Sequence, residues 1–127
     1  MKVILLSDDD WHIQLAGIMF RFPTGVFELS VVHDAGAILE DTDLEDLSTA
    51  IYLDMLHPQA EFVLEELHRT KITQKLIVVI LCRRSQLNED CLLGIHYGAQ
   101  FRFRLGLDEP RKVPEFLMKM CDERGLK

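Results

Sequence analysis

Three cysteines, four prolines, one tryptophan and seven isolated glycines are all that this 127-residue chain holds of those residues, and each scarcity removes a class of protein. Cys82, Cys91 and Cys121 are odd in number and sit inside apolar stretches, so they read as buried thiols of a reducing compartment and not as a disulfide framework. No apolar run is longer than Leu76–Cys82, far short of the about 20 residues that cross a bilayer. Met1 leads directly into Lys2-Val3-Ile4-Leu5-Leu6 with no secretory cleavage pattern, so a cytoplasmic protein without membrane contact is expected. Gly17, Gly25, Gly36, Gly94, Gly98, Gly106 and Gly125 never gather into a phosphate-cradling loop, which disfavours a nucleotide- or flavin-binding enzyme. Positive charge is scarce as well: residues 1–66 hold 14 Asp/Glu against only Lys2 and Arg21, a balance of −12. With a net charge of −7 for the chain, direct nucleic-acid binding is not expected.

What remains is an ordinary globular composition, 48% apolar and 28% charged, with length for a single domain over residues 1–127. A chain of this size buries roughly two-thirds of its unfolded surface and needs no staple. Short apolar runs alternate with helical stripes. Val3–Leu6, Ala50–Leu53 and Leu76–Leu81 read as strands buried on both faces. Phe27, Leu29 and Val31 alternate as a strand ending near His33, and Phe101-Arg102-Phe103-Arg104-Leu105 alternates as a strand with one buried face. Between them run a helix after Ser7-Asp8-Asp9-Asp10 with apolar positions Ile13, Ala16, Gly17 and Phe20, broken by Pro23 and Gly25, and a weak helical stretch from Asp34 to Leu39. An acidic loop, Glu40–Asp46, follows. Later stripes are Ala60/Val63/Leu64/Leu67, Leu87/Cys91/Gly94/Ile95 and Val113/Phe116/Leu117/Met120/Cys121, the last ended by Gly125. Pro110 and Pro114 cannot both lie within the last helix. Five βα units in succession predict an α/β fold, a doubly wound five-stranded parallel sheet with helices on both faces and ligands bound beyond the carboxyl ends of the strands.

That rule selects residues. The first strand ends at Asp8 and Asp9 and the third at Asp54. With those strands adjacent, three carboxylates crowd one crevice and need a cation or protonation to relieve them. Mg²⁺ suits such an oxygen site, and beside a free carboxylate it favours phosphoryl transfer. Asp10 is expected only to match the charge of the helix N-terminus.

These residues resemble the receiver domains of response regulators, the phospho-accepting modules of two-component phosphorelay signalling. The resemblance spans the whole chain and is carried by Lys2–Asp9, by Ile51-Tyr52-Leu53-Asp54-Met55-Leu56-His57-Pro58, by Gly98-Ala99, and by Asp108 ten residues after Gly98. It implies a flavodoxin-like, CheY-like (βα)5 fold, with Asp54 as the phospho-acceptor position, Asp8 and Asp9 as the Mg²⁺ pair, and the Leu56 carbonyl as the backbone metal ligand. It also exposes departures. Cys82 stands where the family has a Thr or Ser that bonds the acyl phosphate. Leu105, followed by Gly106, stands where it has a Lys followed by proline. Arg102 stands at the switch aromatic. Arg83 and Arg84 follow Cys82 and could contact a phosphate or Asp54, although solvated loop arginines are the plainer expectation. His57 is assigned no role. Among the thiols only Cys82, beside two arginines, merits a reactivity test.

The expected function is therefore a stand-alone, degenerate receiver (a pseudo-receiver) without enzymatic activity. It signals through a protein partner, with Mg²⁺ bound weakly or not at all. The partner, a histidine kinase, an output protein or a second copy in a homodimer, is expected on the face made by helix 4, strand 5 and helix 5. There Arg102, Arg104, Arg111 and Lys112 favour an acidic surface. The alternative is a genuine single-domain response regulator phosphorylated on Asp54 by a histidine kinase.

Overall fold

A computed structural model describes residues 1–21, 25–40, 49–70, 76–83 and 87–123, omitting the side chains of residues 87, 88, 90, 91 and 95. Arg84, Pro23, Gly125 and most of the acidic loop lie outside the described residues, as do the side chains of Leu87, Cys91 and Ile95.

The elements run β1 (Lys2–Leu6), α1 (Asp10–Met19), β2 (Glu28–Val32), α2 (Ala35–Leu39), β3 (Thr49–Asp54), α3 (Ala60–Arg69), β4 (Ile77–Cys82), α4 (Leu87–His96), β5 (Phe101–Arg104) and α5 (Lys112–Glu123). All four strand pairings are parallel, in the order β2-β1-β3-β4-β5. The three central strands carry the continuous apolar runs because each face meets a helical layer. Ile4, Leu6, Ile51, Leu53, Val78 and Ile80 pack with Ala60, Val63, Leu64 and Leu67 of α3. Val3, Leu5, Ala50, Tyr52, Val79 and Leu81 pack with Ala16 and Met19 of α1 and with Val113 and Leu117 of α5. On edge strand β5, Phe103 is buried while Arg102 and Arg104 are exposed, as their alternation predicts.

Two local expectations change. The buried stripe of α1 is His12, Ala16 and Met19, continued by Phe20. It is turned by one residue from the Ile13/Gly17 line, and Ile13 is only partly buried. The carboxyl end of the sheet fixes this rotation, because Asp9 caps the helix there and sets His12 beneath the site. The start of α5 resolves at Lys112, so Pro110 precedes the helix and Pro114 is its third residue. A proline is tolerated there because N–H groups of the first turn have no intrahelical acceptor.

Strand order reverses direction between β1 and β3, which lie side by side with Leu6 opposite Leu53. Their carboxyl ends therefore flank the crevice where such sheets bind ligands.

Candidate functional site

Asp54 closes β3 and is 1% exposed. A buried carboxylate must have its lone pairs satisfied, and every partner here comes from its own loop or from a neighbouring strand end. Ser7, the residue after β1, donates its hydroxyl to Oδ2 at 2.7 Å. The backbone N–H of Leu56 donates to Oδ1 at 3.1 Å. Arg83, the residue after β4, donates Nε to Oδ1 at 3.3 Å and Nη2 to Oδ2 at 2.8 Å, the two-pronged geometry that makes an arginine–carboxylate pair strong. The same Nη2 lies 2.9 Å from Oδ2 of Asp9. Arg83 is therefore no solvated loop residue: its side chain is only 10% exposed.

Asp9 serves two structures at once. Its Oδ1 accepts from the N–H groups of Trp11 and His12, capping α1, while Oδ2 holds Arg83. Desolvation pushes this carboxyl up, but the His12 N–H, the Arg83 guanidinium and the Trp11 N–H outweigh it and hold it below the ordinary value. Desolvation likewise opposes the charge on Arg83, and Asp54 and Asp9 more than restore it.

Asp8 turns outward, 58% exposed, to two histidines. Its Oδ1 lies 3.0 Å from Nδ1 of His33 and its Oδ2 3.2 Å from Nε2 of His57. His57, assigned nothing from sequence, is 7% exposed. Its Nδ1 accepts from the Gln59 N–H at 3.0 Å, which leaves the proton on Nε2 to be donated to the His33 carbonyl at 2.8 Å. Asp8, Asp9, Asp54, Leu56, His57 and Pro58 line an open depression of about 220 Å³ above the strand ends.

Beneath the site lie His12 and Tyr52, rings edge to face with centroids 5.4 Å apart. Both His12 nitrogens and the Tyr52 hydroxyl are buried without a hydrogen-bond partner among the described residues. Burial lowers the His12 pKa to about 4, with Asp54 and Asp9 pulling it up and Arg83 down. Burial, reinforced by Asp54, keeps the Tyr52 phenol protonated.

The other positions singled out by sequence are dispersed. Cys82 is buried in the apolar cluster of the α3 face, with Ile80 and Val78. Leu105 packs at the margin of the opposite cluster, and Gly106 has φ +89°, a value that proline cannot adopt. Arg102 is exposed on β5. Ser7, His12 and His57 are the residues that sequence reasoning passed over. Ser7 stands between an apolar run and an acidic pair, and His12 sits four residues before buried Ala16, but neither position announces its partner.

Chemically, part of the negative charge of the crevice is offset by a cation of the chain itself. No group of three or more His, Cys, Asp or Glu side chains placed to hold a metal occurs among the described residues. Both oxygens of Asp54 and Oδ2 of Asp9 are engaged by Arg83. Three carboxylates arranged for Mg²⁺ would need those lone pairs free, so the residues present do not fit the ion.

No protein-family model matches the sequence, and no curated protein does. The structure does find its class: this is the CheY-like fold of response-regulator receiver domains. It is similar to a receiver domain protein of Clostridium thermocellum (TM-score 0.74, 15% identity, covering 98% of this chain and 96% of that one). The CheY-like receiver of Methanospirillum hungatei aligns with TM-score 0.71 and 17% identity over 98% and 95% of the two chains. The receiver of a Bacteroides fragilis response regulator aligns with TM-score 0.67 and 20% identity over 94% of each. At such identities what is shared is the fold. No helix among the described residues is long and apolar enough to cross a membrane.

Proposed function

We propose that this chain is a receiver-type signalling module of the cytoplasm that works by binding a protein partner, without enzymatic activity and without phosphorylation of Asp54. One observation carries the reading: the guanidinium of Arg83 grips both oxygens of Asp54. A carboxylate attacking phosphorus needs an exposed lone pair in line with the leaving group and cations arrayed on the phosphoryl oxygens. Here the lone pairs are spent, and Cys82 and Leu105 offer neither a strong hydroxyl donor nor an ammonium.

The partner surface in this reading is the α4–β5–α5 face, for a histidine kinase, an output protein or a second copy of the chain. Its charge is less bare than the sequence suggests, since Arg104 holds Asp108 at 2.9 Å and Arg111 pairs with Glu109. Arg102 and Lys112 remain exposed there and favour an acidic partner.

Incubation with acetyl phosphate and Mg²⁺, read by intact mass, is expected to leave the protein unmodified, with beryllofluoride causing no change in Trp11 emission. A stoichiometric phosphoryl adduct lost on Asp54→Asn would replace this reading with its alternative, phosphorylation of Asp54 by a histidine kinase. The observation that favours the alternative is Arg83 itself, which already reaches Asp54 and could fork onto phosphoryl oxygens.

A further inference from the structure

We infer that Arg83 is the resident cation of this crevice, occupying with its Nη2 the position between Asp9 and Asp54 that a divalent ion would take, and that removing its charge converts the crevice into a divalent-cation site. The inference rests on the closed site described above but not on the identity of any partner. A single nitrogen lies 2.9 Å from Oδ2 of Asp9 and 2.8 Å from Oδ2 of Asp54. A metal bridging the same oxygens would sit about 2.1 Å from each. Nitrogen and metal would claim the same lone pairs, and two positive charges would face each other at contact distance in a site where Asp54 and the Arg83 side chain are almost fully buried.

The competition is unequal. Arg83 is tied to the end of β4, one residue past Cys82, so its effective concentration at the carboxylates far exceeds that of a free ion. Mg²⁺ must also shed tightly held waters to enter. Arg83 gains a second anchor that an ion would lack, because Nε completes the fork on Oδ1 of Asp54. Three strand ends, those of β1, β3 and β4, are thereby tied through one side chain. With the charge gone, Asp54 becomes a buried carboxylate held, among the described residues, by Ser7 and the Leu56 N–H. Asp9 stays fixed by its capping bonds. That leaves two preorganised carboxylates facing a common gap beside Leu56, which are the makings of a hard-cation site.

The test compares wild-type protein with Arg83→Gln and Arg83→Lys. Mn²⁺ is titrated while paramagnetic broadening of the Ser7–Trp11 and Asp54–Leu56 amides is followed, and melting is recorded in MgCl₂ against NaCl of equal ionic strength. Wild type and Arg83→Lys are expected to show no site-specific broadening and no Mg²⁺-specific melting shift. Arg83→Gln should bind Mn²⁺ at least about tenfold more tightly than wild type and be stabilised by Mg²⁺ in proportion to its occupancy. Saturable Mn²⁺ binding by the wild type with the affinity of Arg83→Gln overturns the inference, as does a folded Arg83→Gln that binds no better than wild type. Should Arg83→Gln fail to fold, the wild-type titration alone decides, with broadening at both segments refuting and its absence supporting. A wild type that binds Mn²⁺ yet takes no phosphoryl group refutes this inference and leaves the proposed function standing.

Discussion

Asp54 and Arg83 bury opposite charges at 2.8 Å, and such a pair is better read from what happens when one member is lost. Asp54→Ala would remove the two-pronged partner of a guanidinium that is nine-tenths buried and leave it paired with Asp9, and a loss of about 3 kcal/mol is expected in urea unfolding. Replacing both at once, as Asp54→Leu with Arg83→Met, should recover part of that loss, because the charge that then loses its ion pair is Asp9, which is partly exposed and keeps its bonds from the Trp11 and His12 N–H groups. A double variant no more stable than Asp54→Ala would show that the loss does not come from the guanidinium deprived of Asp54. His12 supplies a second prediction. Its folded pKa of about 4 lies below the ordinary 6.5, so the unfolded chain binds the extra proton first. The stability it contributes is complete above pH 6.5 and drains away as pH falls toward 4, by about 3 kcal/mol in all. Burial sets this value, with Asp54 and Asp9 opposing the shift and Arg83 adding to it, and the Tyr52 ring packs against the imidazole. His12→Phe should flatten that part of the pH–stability profile, and an unchanged slope would assign it to other groups. Asp9 adds acid sensitivity lower down: its depressed pKa means stability is lost as pH drops below about 4. Of these residues the acids were legible as strand-end carboxylates. Arg83 was legible only as one of two readings, contact with Asp54 or a solvated loop, because a side chain at a strand end can equally face water, and only the two carboxylates opposite decide.

Among the elements, β3, β4 and α3 were legible almost residue by residue, since burial of both sheet faces enforces apolar runs and the i, i+3, i+4, i+7 stripe. The rotation of α1 was not, because it answers to the Asp9 cap and the crevice above it. The approach of α4 to β4 was equally hidden. A Cβ at Gly94 would lie 2.4 Å from Cδ1 of Ile80, itself fully buried. Gly94→Ala should cost about 1–3 kcal/mol through overpacking. Ile80→Val removes that very carbon, so adding it to Gly94→Ala should restore part of the loss. If the pair of changes is simply additive in thermal melts, α4 does not rest on Ile80. One further hidden element is Gln100, whose amide accepts from the Val78 N–H and donates to the Leu76 carbonyl. It extends the sheet's hydrogen bonding where β5 has not yet begun.

For the whole molecule, the two halves of the chain fall on opposite sides of the sheet. The acidic half of the sequence supplies β2, β1 and β3, and the basic half supplies β4 and β5. Charge segregated along the chain is thus segregated across the sheet, and association with an acidic partner should weaken steeply with salt. Arg102→Glu combined with Lys112→Glu, which spares the Arg104–Asp108 pair, should abolish partner capture while leaving the melting temperature unchanged. Retained capture at every ionic strength would move the interface elsewhere on the surface.

The order of apolar runs and stripes by itself determined the five βα units, the parallel sheet and the approach of residues 9 and 54 at adjoining strand ends, because periodicity and crossover handedness leave few other arrangements. Only the tertiary structure decided what neutralises those acids. Three strand ends converge within hydrogen-bonding reach of one guanidinium, and which side chain wins such a crevice depends on distances and desolvation that no spacing in the chain encodes.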